Sequence, residues 1–143
     1  MIRFCCDTNV LIAACCPWHD HHGPSRREID RRRSGGEEMV VAAHSVIEMY
    51  SVLTRVPRWR MSPEDASTLI RSNLDGVPDI QLPSGEVWKA LEQAAQFGIR
   101  GGRIHDALIA RCAIRGGAST LLTWNLRDFA LFAGEIQVLR PVP

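Results

Sequence analysis

Short, almost unbroken apolar runs of strand length take turns along this chain with stretches of helical periodicity. Residues 2–6 form the first run, which stops abruptly at Asp7. A strand buried on both faces has this character, because neither side meets water and neither needs polar residues. Residues 39–43, 119–123 and 136–139 read the same way, and 79–82 is a shorter candidate. Between them lie helices. Residues 10–16 follow Thr8 or Asn9 as cap and are closed by Pro17; residues 25–33 are polar and rich in Arg, ending near Gly35-Gly36. Residues 44–55 carry Val46, Met49, Tyr50 and Leu53 at offsets of one helical face. Ser62-Pro63-Glu64-Asp65 is a helix start, with Ser as cap and Pro in the first helical position, and that helix runs to Asn73. Residues 84–97 stop at Gly98, residues 104–115 stop at Gly116-Gly117, and 126–132 make a short helical turn.

Strands alternating with helices dictate an α/β fold whose parallel sheet is covered on both faces. With 143 residues, 45% of them apolar, and neither repeat nor linker, the chain is expected to be one domain over 1–143. Ligands of such sheets collect outside the carboxyl ends of the strands, near a switch in strand order. Asp7 lies just past the first run, and Asn125 and Asp128 just past the fourth, so the topology aims all three at one crevice.

Two further acids stand out. Asp106 shares a helical face with Ile109, Ala110 and Ala113, and an acid heading an apolar stripe is desolvated unless a cation or hydrogen bonds compensate it. A first-turn acid after Gly101-Gly102 is the plainer reading. Glu48 falls opposite the Val46/Leu53 stripe, a position that normally faces solvent, yet Ile47 and Val52 make that side apolar too. Asp7 has its own plain reading, as an acid complementing a helix N-terminus.

The net charge of +1 argues against a protein that binds nucleic acid by bulk charge, but not against an enzyme with an acidic centre and a basic rim. Five cysteines, four of them in vicinal pairs within apolar runs, match no zinc framework and are expected to be free thiols in a reducing, cytoplasmic setting. His19, His21 and His22 are too closely spaced for a ligand set from one helix face, and read as a loop at the mouth of the site. Trp59, among Arg55, Arg58 and Arg60, either stacks on a base or covers an edge of the core. No apolar run is long enough to cross a membrane.

Cys6-Asp7-Thr8-Asn9 after a strand, Val46-Ile47-Glu48 in a helix, His105-Asp106-Ala107 heading a helix, and Thr123-Trp124-Asn125-Leu126-Arg127-Asp128-Phe129 after a strand occur in the order found in PIN-domain ribonucleases. The whole chain resembles the VapC toxins of bacterial toxin–antitoxin pairs. This resemblance implies a three-layer α/β/α sandwich and a Mg²⁺ site, with Mn²⁺ able to substitute. Asp7, Glu48 and Asp106 match the three principal acids and are expected within metal-bridging reach of one another. Thr123 matches the hydroxyl residue that orients the site. A fourth position, commonly acidic in the family, is Asn125 here, with Asp128 three residues on, either at the metal's rim or simply a cap.

What the resemblance implies in function is hydrolysis of phosphodiester bonds in structured RNA (tRNA or ribosomal RNA) by the toxin of a type II pair. A cognate antitoxin and a homodimer are the implied partners. The alternative is a non-catalytic PIN-like module that binds RNA or protein with a weakened metal centre. A haloacid-dehalogenase-type phosphatase requires a second acid where Asn9 stands, and a phospho-receiver requires a late lysine, whereas Lys89 is the only lysine and lies mid-helix.

Overall fold

The computed structural model describes residues 1–141. Its strands are β1 (Arg3–Cys6), β2 (Glu38–Ala42), β3 (Asp79–Ile80), β4 (Ala118–Leu122) and β5 (Gln137–Leu139). The helices are α1 (Thr8–Cys15), α2 (His22–Ser34), α3 (Ala43–Arg55), α4 (Pro63–Leu74), α5 (Ser84–Gln96) and α6 (Arg103–Arg115), with a 3₁₀ helix over Leu126–Phe132. The five strands form one sheet in the order β3-β2-β1-β4-β5, and every pairing is parallel.

Alternate residues of each strand feed opposite layers. Phe4, Cys6, Met39, Val41 and Leu122 meet apolar residues of α1 to α4 in one core. Cys5, Val40, Ala42 and Leu121 meet α6 and the 3₁₀ helix in the other. The vicinal pair Cys5-Cys6 is thereby explained: each thiol fills a different core, as successive strand side chains must. Helix α5 packs on α6 as an outer element. The result is the expected α/β/α sandwich.

Several boundaries differ from the sequence reading. Helix α1 is capped by Asp7 itself, whose carboxylate accepts from the Thr8 N–H, and not by Thr8 or Asn9. Thr8 and Asn9 have other work: the Thr8 hydroxyl donates to Ser45 Oγ, and Asn9 Oδ1 accepts from the Trp124 N–H. Helix α2 starts at His22, so Gly23 and Pro24 lie in its first turn, where a helix tolerates a missing N–H. Strand β3 ends at Ile80, and Thr123 follows β4 rather than ending it, although its N–H still bonds Leu139 O. The pair Gly116-Gly117 closes α6 for two separate reasons. A Cβ on Gly116 would stand 2.8 Å from Ile80 Cγ1, and Gly117 has φ +77.

All five cysteines are free and buried. Burial pushes the Cys5 thiol up to about 12 and the Cys112 thiol up to about 11, so the thiolates that react are suppressed. A thiol-reactive chromophore under denaturing, non-reducing conditions is expected to count five thiols, and the folded protein to react far more slowly. A denatured count of three or one would contradict the unbridged core.

Candidate active site

The order of the strands sets the location. Strand β1 passes the chain to α1 on one face, while its neighbour β4 passes it to the 3₁₀ helix against the other. A crevice opens between such diverging connections at the carboxyl ends of the two strands. Asp7 and Thr123 are the residues immediately past those ends.

Asp7 is buried and held at both carboxylate oxygens. Oδ1 accepts from the Thr8 N–H at 2.7 Å and Oδ2 accepts from the Thr123 hydroxyl at 2.8 Å. Thr123 Oγ1 in turn accepts from the Asn125 N–H at 3.0 Å, which leaves its own proton to point at Asp7. The backbone is tied down as well: the Asp7 N–H donates to Leu122 O at 2.8 Å. The carboxylate's direction is therefore fixed from two strands at once.

A cavity of 290 Å³ in front of Asp7 is lined by Asp7, Glu48 and Asp106, with Asn125, His19 and Trp59 among its other walls. Glu48 arrives from the second turn of α3 and is half-buried, contrary to the solvent-facing position that its helical face suggested. Asp106 heads α6, one turn before the buried Ile109 and Ala110. Asp128 is not in the wall. It lies in the first turn of the 3₁₀ helix, near enough to raise Asp106 and 4.0 Å from Arg103 Nε.

The electrostatics are those of negative charge that Arg103 and His105 offset only in part. Burial pushes Asp7 up to about 7, helped by the charges of Asp106 and Glu48 and resisted by its two hydrogen bonds. Burial likewise pushes Asp106 up to about 6, followed by repulsion from Asp128 and Glu48. Asp106 and Glu48 are both near enough for their charges to raise Asp7, while among the described residues no group of three His, Cys, Asp or Glu is arranged to hold a metal ion. Carboxylate and amide oxygens with like-charge strain between them suit a hard divalent cation that keeps part of its water shell.

The His-rich segment is better ordered than a solvated loop. His22 Nδ1 lies 2.9 Å from Ala13 O, which anchors the start of α2 to the end of α1. The ring of His19 enters the cavity wall beside Trp59. Trp59 packs against the first core, the plainer of its two readings, and it also lines the cavity. The hydroxyl pair Thr8–Ser45, which ties α1 to α3 behind the site, went unnoticed in the sequence; its only signal is two small polar residues in otherwise apolar helical stretches.

Residues 4–134 match the PIN domain family. This chain is a PIN-domain protein. It is 31% identical to Ribonuclease VapC40 of Mycobacterium tuberculosis over 122 residues, 85% of each chain, and so belongs with the VapC ribonucleases. Ribonuclease VapC27 of the same organism is 38% identical over 108 residues, covering 75% of this chain and 74% of that one. In fold the chain is similar to the crystal structure of M. tuberculosis VapC20, a toxin that cleaves the sarcin–ricin loop, with TM-score 0.75 at 19% identity over 96% of this chain and 99% of that one. For a PIN-domain chain, the acid-lined cavity at the strand ends is the site to test.

Because the Asp7 carboxyl is raised from 3.8 to about 7, the native state holds a proton there that the unfolded chain releases. Asp7 therefore takes stability away as pH rises between about 4 and about 7 in metal-free protein. Asp7→Asn is expected to raise Tm at neutral pH and to leave it nearly unchanged near pH 4. A divalent cation held by Asp7 would be expected to raise the Tm of the parent at pH 7 but not that of the variant. Thermal scans at the two pH values check both signs.

Proposed function

We propose that the protein is a divalent-metal-dependent endoribonuclease, with Mg²⁺ as the working ion and Mn²⁺ as a substitute, acting as the toxin of a type II toxin–antitoxin pair. The observation that carries this reading is the buried Asp7, fixed by Thr8 and Thr123 and facing Glu48 and Asp106 across one cavity. Asp7, Glu48 and Asp106 would hold the cation, with the Asn125 amide beside them and Asp128 acting from the rim through water. A bound divalent cation supplies screening of the phosphate's charge and acidification of a water molecule.

The chain's own residues do the rest. The Thr123 hydroxyl donates to Asp7 Oδ2, and with the Thr8 N–H it would hold the Asp7 carboxylate in one orientation. Glu48, which like Asp106 accepts no side-chain hydrogen bond among the described residues, would accept a proton from the attacking water. Asp106 and Asp128 repel one another, and the site gains most when positive charge arrives between them. Asn125 in the fourth position lowers the total negative charge, and a second ion binds weakly for that reason.

Structured RNA, transfer or ribosomal, is the proposed substrate; the resemblance to toxins and the name of VapC20 support that class. A cognate antitoxin is the proposed partner, in the cytoplasm, and a homodimer the proposed assembly. Trp88 at 65% and Leu91 at 52% exposure on α5 are apolar surface that a second copy would cover. No described helix is long and apolar enough to cross a membrane.

A panel of tRNA and ribosomal RNA incubated in Mg²⁺, with sequencing of the cut ends, tests the activity. Asp7→Asn is expected to abolish cleavage, and Thr123→Val to weaken it by about 10–100-fold, since it frees a ligand that a neighbour had oriented. Cleavage by Asp7→Asn at the parent rate would remove the site. In a Mn²⁺ titration, Asn125→Asp is expected to reach full activity at a lower concentration than the parent, and an unchanged titration would contradict the weak second ion.

A further inference from the structure

Four rings from three segments run together from the wall of the acid-lined cavity outward. His19 lies 5.4 Å from Trp59 and 5.8 Å from His21, and His21 lies 4.0 Å from Trp124 at an interplanar angle of 15°. Trp59 comes from the segment after α3, the two histidines from the turn between α1 and α2, and Trp124 from the end of β4. His19 and Trp59 line the same cavity as Asp7, Glu48 and Asp106.

The rings are held rather than merely crowded. Trp124 donates its indole N–H to the buried Ser25 Oγ at 2.9 Å, and its backbone N–H donates to Asn9 Oδ1. His19 Nδ1 accepts from the His21 N–H at 3.0 Å, which sets the plane of that imidazole and requires its neutral Nε2–H form. His21 stacks on Trp124 and is exposed to solvent.

Trp59 supplies the observation that a merely structural rim does not explain. Among the described residues its indole N–H is buried without a hydrogen-bond partner, a cost that phenylalanine would avoid if only core cover were needed. Burial and the neighbouring His21 hold His19 below its usual value, and the charge of Arg58, next to Trp59 in the chain, acts in the same direction. Fixed aromatic faces beside a guanidinium, next to a site that handles phosphate, are the chemistry of single-stranded nucleic acid recognition, in which bases stack and phosphates meet Arg.

We infer that the His19–His21 turn, backed by Trp59 and Trp124, is a stacking subsite for an unpaired nucleobase of the RNA strand whose phosphate enters the acid-lined cavity. This inference rests on the ribonuclease reading for the identity of the strand. It makes His21 a positioning and specificity residue: an unpaired purine in a loop is favoured over the same base in a duplex, where both of its faces are already covered.

The test separates affinity from cleavage. Full-length protein carrying Asp7→Asn, in Mg²⁺, is titrated into fluorescein-labelled octaadenylate, and binding is followed by anisotropy. Adding His21→Ala is expected to weaken binding by about 10-fold, the loss of one base–ring stack, while His21→Phe stays within about 3-fold of the parent. Inorganic polyphosphate of eight units, competing with the labelled RNA, is expected to displace it poorly. Three results would each overturn the subsite: unchanged affinity in His21→Ala, equal weakening in His21→Phe, or displacement by polyphosphate as effective as by unlabelled octaadenylate. The nuclease reading fails separately. If the parent cuts no RNA while octaadenylate binding still depends on a ring at position 21, the stacking subsite stands without the hydrolysis.

Discussion

Asp7 stands where β1 and β4, side by side in the sheet, send the chain to opposite layers, and its carboxylate is bonded to Thr8 at the start of α1 and to Thr123, the first residue past β4. Much of the molecule serves that arrangement. The two cores press α1 and the 3₁₀ helix onto their own faces and hold the crevice open between them. The Thr8–Ser45 bond sets α3 relative to α1, and with it the direction from which Glu48 approaches. Helix α6 brings Asp106 because Ile109, Ala110 and Ala113 anchor its next turns in the second core.

A carboxylate in this position costs stability. Its desolvation is only partly offset by two hydrogen bonds, and Glu48 and Asp106 add repulsion. Such a cost is typical of groups retained for chemistry, since an apolar residue at the end of β1 would pack with no penalty. A cation turns the same charges from a liability into a binding energy. One group of interactions thus accounts for the raised carboxyls and for a site whose donors are all oxygen.

The strands were readable because a parallel sheet covered on both sides leaves no polar positions, so the apolar runs at Phe4, Val40 and Leu121 show without any alternation. Asp7 was readable for the same reason, as the point where such a run stops. Glu48 was not, because α3 is apolar over most of its girth and its periodicity does not say which side meets the crevice. The start of α2 was hidden by Gly23 and Pro24, which punctuate loops more often than first turns. The ring cluster at His19 and Trp124 joins residues 105 apart, a contact that no local pattern encodes. The convergence of Glu48 and Asp106 on the cavity in front of Asp7 joins residues far apart in the chain, and periodicity does not contain it.

Crystals of the parent protein soaked in Mn²⁺ and measured at the manganese absorption edge give the most direct view of that convergence. The expected result is one strong anomalous peak in the cavity in front of Asp7, within coordination distance of Asp7, Glu48 and Asp106 oxygens, and a weaker or absent second peak near Asn125. A strong peak elsewhere with an empty cavity, or two fully occupied ions side by side, would contradict it.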